Sequence, residues 1–211
     1  GYMHSGYPIV THLDIAQPNH ELFLLNYEVL KEKGSWGLYH EIGHNMQRNS
    51  WTFQGTSEVT CNIFSLHAME VVSGKSLWIH EFLQGNFDNA VKYANDDSKG
   101  FADWQRDAGV ALFVYAQIAH QFGWGPYKET FRHYESLGDT NFLKTEQDKI
   151  DYWVLQISKA CKSDLCPLFE FWKIPVGQQV VKDLCNLPKV LPDDELTKAC
   201  KNRADSISKQ F

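Results

Sequence analysis

Residues 36–64 read "WGLYHEIGHNMQRNSWTFQGTSEVTCNIF", and the reading of the whole chain turns on this stretch. It holds His40-Glu41-x-x-His44, two histidines four positions apart with a glutamate between them. On an α-helix such residues share one face, so both imidazoles can reach a single ion. Glu41 sits about 100° further round the same helix. It can border the ion without being captured by it, as suits a base that takes a proton from an attacking water. Imidazole nitrogens with one carboxylate oxygen fit zinc, Zn2+, best, because they leave a position open for water.

The third donor must come from further along the chain. An extended motif with three histidines would need Gly at position 47 and His at position 50, and the chain has Gln47 and Ser50. The other common solution takes a glutamate from the next helix. Glu58 comes after His44 with thirteen residues between them, and it opens a helical pattern in which Val59, Ile63 and Leu66 form an apolar stripe. Asn62 lies one turn after Glu58, placed to accept a hydrogen bond from the spare N–H of a ligand histidine. Glu70 and Glu81 are rival carboxylates, further along and without an Asn one turn on. Gly43 costs about 1 kcal/mol relative to Ala inside a helix, and would let a neighbouring backbone or a substrate approach closely.

The 211 residues suffice for one domain with a sizeable core, and 43% of them are hydrophobic. A net charge of −6 gives no basic footprint for nucleic acid or anionic lipid. No run of eighteen apolar residues is present, so no membrane span is expected. Of five cysteines, Cys61 falls among the apolar positions beside Glu58 and is expected buried and free, without a local signal that would activate it as a nucleophile. Cys161, Cys166, Cys185 and Cys200 cluster near the end; they allow three disulfide pairings or serve as ordinary buried thiols. The odd total and the lack of a glycosylation sequon leave the compartment open, with a lean towards secretion or the cell surface.

The segments "MHSGYPIV" (3–10), "SWGLYHEIGHNMQ" (35–47), "EVTCNIF" (58–64), "ALFVYAQIAHQFGWGPYKETFRHY" (111–134) and "LFEFWKIP" (168–175) resemble the enhancin/mucinase-type gluzincins, the family-60 metallopeptidases. Within that group "YMHSGYPI" and "TSEVTCN" are especially similar to the animal TRP-channel-associated factors. The likeness runs from about residue 2 to 190. It implies a gluzincin zinc-metallopeptidase fold and endopeptidase activity, often on heavily O-glycosylated, mucin-like proteins. It also implies that residues 1–211 are the N-terminally truncated part of a longer catalytic domain. An edge strand beside the zinc helix would bind extended substrate, and residues 6–11, "GYPIVT", are the candidate, with Pro8 confining them to an edge.

Helices are expected from Thr56 to Gly74, as fragments broken by Gly85 within 76–98, from Asp107 to Phe122, from Pro126 to about Leu137 and from Thr145 to about Lys162. Shorter ones are expected near 166–172 and 177–185, and an amphipathic one near 193–208. Residues 20–33 read equally as strand or helix. The fold class is α+β and mostly α, with a short N-terminal mixed sheet and a C-terminal helical bundle. A hydrolytic site also needs a group for the oxyanion. Tyr115, His120, His133 and Tyr134 are the candidates; Tyr115 is favoured among them because it matches the family's helix pattern, although a tyrosine in such a place is more often part of the core. Trp36 and Trp51 flank the motif and could stack on a sugar or belong to the core. Two functions are consistent with these features. One is an endopeptidase acting on protein or glycoprotein; the other is a binding protein of the channel-associated type, with a membrane-protein partner, that keeps the fold. The intact Glu41 favours the first.

Overall fold

The computed structural model describes residues 3–19, 26–79 and 81–211. It is mostly helical, with a two-stranded sheet at the N-terminal end. Strands β1 (Met3–His4) and β2 (Val10–Thr11) pair antiparallel, with Met3 opposite Thr11 and His4 opposite Val10. The expected edge strand over 6–11 is therefore mostly a turn, and the sheet is antiparallel rather than mixed. The physical reason is local: Pro8 has no N–H for a ladder, and the backbone of Gly6 is bonded elsewhere. Its N–H donates to Asn45 Oδ1 at 2.8 Å and its carbonyl accepts from Asn45 Nδ2 at 3.0 Å.

Helix α1 (Tyr27–Lys33) begins where the Asn26 side chain accepts from Glu28 N and Val29 N, which resolves the ambiguous stretch as helix from 27 onward. Residues 20–25 of that stretch lie outside the described residues. Helix α2 (Trp36–Met46) is capped by Ser35, whose Oγ accepts from Leu38 N. Helix α3 (Ser57–Ser73) ends at Gly74, whose φ of 63° is the left-handed turn that glycine adopts without strain. Thr56 stands at the N-cap position of α3, but its side chain makes no capping bond; its hydroxyl donates back to the Phe53 carbonyl at 2.6 Å.

The C-terminal bundle consists of α4 (Glu81–Asn95), α5 (Phe101–Trp104), α6 (Ala108–Phe122), α7 (Gly125–Ser136), α8 (Glu146–Cys161), α9 (Cys166–Phe171), α10 (Gln178–Leu184), α11 (Glu195–Ala199) and α12 (Lys201–Gln210). Helix α4 runs through Gly85 without a break, because Leu83, Ala90 and Ala94 bury one continuous face. The single helix expected near 193–208 is divided at Cys200, and α5 is an addition to the expected set. Helix α6 is the hub. Every residue from Gly109 to Ala119 is buried, as an all-round apolar helix in a small domain must be. It packs against α3 on one side and α4 on another. Its one buried polar side chain in that run besides Tyr115, Gln117, is satisfied: Nε2 donates to Asp194 Oδ2 at 2.8 Å and Oε1 accepts from Trp172 Nε1 at 2.7 Å. That node ties the C-terminal segments to the hub. Helix α8 starts with a capping box, Thr145 Oγ1 accepting from Asp148 N at 3.1 Å and the Asp148 carboxylate from Thr145 N at 2.8 Å.

Candidate metal centre

Helices α2 and α3 cross at closest range where α2 has no side chain. A Cβ on Gly43 would collide with the carbonyl oxygen of Cys61. The approach that glycine permits sets the α2 face carrying His40 and His44 against the first turns of α3. Three donor atoms meet there. His40 Nε2 and His44 Nε2 are 3.1 Å apart, and Glu58 Oε2 is 3.2 Å from the first and 3.5 Å from the second. The histidine side chains are 19% and 17% exposed and the glutamate 65%, so the cluster opens to solvent on the Glu58 side.

Two amide side chains fix the rings. Asn62 Nδ2 donates to the Glu58 carbonyl at 2.9 Å, which leaves Asn62 Oδ1 to accept from His40 Nδ1 at 2.8 Å. Gln47 Nε2 donates to the Ser57 carbonyl at 2.7 Å and Thr60 Oγ1 at 2.6 Å, so Gln47 Oε1 accepts from His44 Nδ1 at 2.8 Å. Both Nδ1 atoms thus carry hydrogens, and in the neutral rings both Nε2 lone pairs point at each other and at a carboxylate. Three acceptors at such range repel unless a cation or proton lies between them. Four-coordinate zinc, with bonds of about 2.0–2.2 Å, separates neighbouring N and O donors by about 3.3–3.6 Å. The observed spacings of 3.1–3.5 Å lie within a few tenths of an ångström of that range, and the donor set fits the ion.

The residues expected at the centre are distributed unevenly. His40, His44, Glu58 and Asn62 come together as described. Glu41 is half-buried one residue beyond His40 and is not one of the converging donors. Of the rival carboxylates, Glu70 instead accepts a hydrogen bond from Trp124 Nε1, and Glu81 begins α4. Tyr115 is a correction to the oxyanion reading: it is 2% exposed, lies against Trp153, and burial raises its phenol pKa well above the ordinary value. A phenol enclosed in the core has no access to a solvent-facing cluster. Tyr134 is also buried, His120 lies edge-on to Trp78, and His133 is bonded to Tyr152 Oη at 2.7 Å. Among the described residues none of these four hydrogen-bonds to His40, His44 or Glu58. Trp51, 2% exposed between Phe131 and Trp153, belongs to the core, and Trp36 stacks on Phe82. All five cysteines are free thiols, with only Cys185 exposed.

Sequence reasoning missed Gln47 and Asn45. In the sequence Gln47 serves only to rule out the three-histidine motif; it is the residue just past the end of α2, in extended backbone, so helical spacing alone does not place it at His44. Asn45 pins the Gly6 turn to α2, and the residues that follow each of the pair, Tyr7 and Met46, are 84% and 42% exposed.

Known proteins resemble this chain in both sequence and fold. Residues 1–173 match the family described as "Peptidase M60, enhancin and enhancin-like". The chain belongs to that family. It is 33% identical over 192 residues to TRPM8 channel-associated factor 2 of Homo sapiens, covering 90% of this chain and 20% of that protein. It is also 33% identical over 191 residues to the TRPM8 channel-associated factor homolog of Xenopus laevis, covering 89% of this chain and 20% of that protein. The chain therefore spans about a fifth of the length of these curated relatives. Among solved structures, a functionally unknown conserved protein from Bacillus anthracis str. Ames superposes with a TM-score of 0.72 at 27% identity, over 93% of this chain and 38% of that one. The ZmpB metallopeptidase from Clostridium perfringens shares the fold, with a TM-score of 0.59 at 22% identity over 92% of this chain and 36% of that one. Membership in this metallopeptidase family carries the expectation of a metal. No helix among the described residues is long and apolar enough to cross a membrane.

Proposed function

We propose that this domain is a zinc-dependent endopeptidase in which His40, His44 and Glu58 hold the ion and Glu41 is the general base. The observation that carries the reading is the convergence of two Nε2 atoms and one carboxylate oxygen at 3.1–3.5 Å, with both Nδ1 atoms bonded away from the cluster. Zinc, when bound, supplies Lewis acidity and makes water nucleophilic at neutral pH. Glu41 takes the proton of the attacking water on its carboxylate and returns it to the leaving amine nitrogen. Asn62 and Gln47 hold the imidazoles in the tautomer that presents Nε2, and Gly43 keeps α2 close enough to α3 for Glu58 to join them. The substrate class proposed, O-glycosylated mucin-like protein, rests on the family resemblance.

A second reading has one observation in its favour, that curated relatives matching 90% of the chain are named as channel-associated factors. On that reading the domain binds a membrane-protein partner and cleaves nothing. The two are separated by incubating wild type and Glu41→Gln with a mucin-type glycoprotein and an unglycosylated control. The endopeptidase reading expects cleavage by wild type and a rate about 10²–10⁴-fold lower in Glu41→Gln, the usual contribution of a positioned base. Equal cleavage by both proteins contradicts the role of Glu41. No cleavage by zinc-loaded wild type moves the assignment to the binding protein.

A further inference from the structure

We propose that Glu135 and Glu146, two carboxylates of the helical bundle, are positioning residues of the metal centre; the inference rests on the metal-binding reading above. Among the described residues neither hydrogen-bonds to His40, His44 or Glu58. They act through the connection 47–56, which joins the helix of His40 and His44 to the helix of Glu58. That connection sets where the third donor stands relative to the first two.

The bundle grips the connection at three points. At its start, Arg48 Nε is 3.0 Å from Glu135 Oε1 on α7, while Arg48 Nη1 donates to the carbonyls of Met46 and Gln47, each at 3.0 Å. These carbonyls lie at the C-terminal end of α2, where a helix leaves its last acceptors unpaired and favours a cation. In the middle, Trp51 is seated against Phe131 of α7 and Trp153 of α8, with ring centroids 4.9 and 6.3 Å away. Towards its end, Gln54 N donates to Glu146 Oε2 in the first turn of α8, and the Gln54 carbonyl accepts from Gln105 Nε2. Lys149 Nζ holds the other oxygen of Glu146 at 3.0 Å.

Both carboxylates grip close to the supports of the donors. Arg48 directly follows Gln47, whose Oε1 orients His44, and Gln54 stands four residues before Glu58. Two imidazole lone pairs and a carboxylate repel one another in the metal-free protein. A connection free to relax lets them separate, and an incoming ion must then gather them at the expense of affinity. A connection fixed in advance removes that cost. The Arg48 and Glu135 side chains are 47% and 57% exposed, and exposed ion pairs add little to stability. Positioning is therefore separable from folding here, as it is not for the core residue Trp51.

The test compares wild type, Glu135→Ala, Glu146→Ala, Arg48→Ala and the Arg48→Ala/Glu135→Ala double variant. Zinc affinity is read by competition with a chromophoric chelator, and donor geometry by the visible ligand-field bands of bound cobalt(II). The denaturation midpoint of each metal-free protein is measured alongside. The expected result is zinc binding weakened about 2–30-fold in each single variant, with altered cobalt bands and an unchanged metal-free midpoint. The double variant should be no weaker than Arg48→Ala alone, because the two residues act as one link. Wild-type affinity and bands in either glutamate variant overturn the role of that carboxylate. Loss of affinity only in step with loss of metal-free stability overturns positioning in favour of a purely structural role. Failure of wild type to take up either ion overturns the metal-binding reading itself.

Discussion

The α2–α3 pair and the aromatic core between α6, α7 and α8 lie side by side and are built on opposite principles. In the first, His40, His44 and Glu58 are partly exposed, and their positions are held by directional hydrogen bonds from Asn62 and Gln47. In the second, Trp153, Tyr115, Tyr127 and Phe131 are held by enclosure, ring against ring at centroid distances from 5.9 to 6.3 Å. The core side stabilises the fold, and the cluster side spends stability to keep like acceptors together. The contrast teaches that a group's chemistry is expressed only where the packing leaves it reachable. Tyr115 and His40 both carry groups a hydrolase could use, and only one of them faces solvent.

Three sets of substitutions test that division, in falling order of effect. Trp153→Ala in the core should cost about 3–5 kcal/mol of stability, the range for removing a buried aromatic, measured by denaturant unfolding of metal-free protein. A loss below about 1 kcal/mol would show that the core does not carry the fold as described. Gly43→Ala sits on the border between the two regions. It should cost about 1–3 kcal/mol by overpacking and also weaken zinc binding, although no atom of residue 43 reaches the cluster. Unchanged zinc affinity in this variant would break the claim that the α2–α3 approach sets the ligand geometry. Gln47→Ala and Asn62→Ala should each lower zinc affinity about 10–100-fold with the fold retained, read by competition with a chromophoric chelator. If only Asn62→Ala had an effect, the anchoring of His44 through Gln47 would be wrong.

The sequence made the cluster legible because helical spacing is a geometric constraint: residues four apart must share a face, and the apolar stripe of Val59, Ile63 and Leu66 oriented Glu58 and Asn62. Boundary residues located α3, α6, α7 and α8 through Gly74, Asp107, Pro126 and Thr145. Local signals failed where the deciding contact is distant in sequence. Gly85 reads as a breaker, yet the buried face of Leu83, Ala90 and Ala94 carries α4 through it. Residues 6–11 read as a strand, yet Asn45 takes the backbone groups of Gly6, thirty-nine positions away. Tyr115 reads as an oxyanion candidate by its place in a motif, and nothing local shows that α6 is enclosed on every side. The role of Gln47 is hidden for a similar reason, since its anchors, Ser57 and Thr60, lie across the 47–56 connection.

The central claim is that His40, His44 and Glu58 form one metal site, and zinc stoichiometry tests it most directly. Wild-type protein and His40→Ala are purified without chelator, and zinc per chain is measured by elemental analysis alongside circular dichroism. The expected result is about one zinc per chain in wild type and none in His40→Ala, with helical content preserved in both. Zinc absent from wild type, or retained in full by folded His40→Ala, would contradict the account.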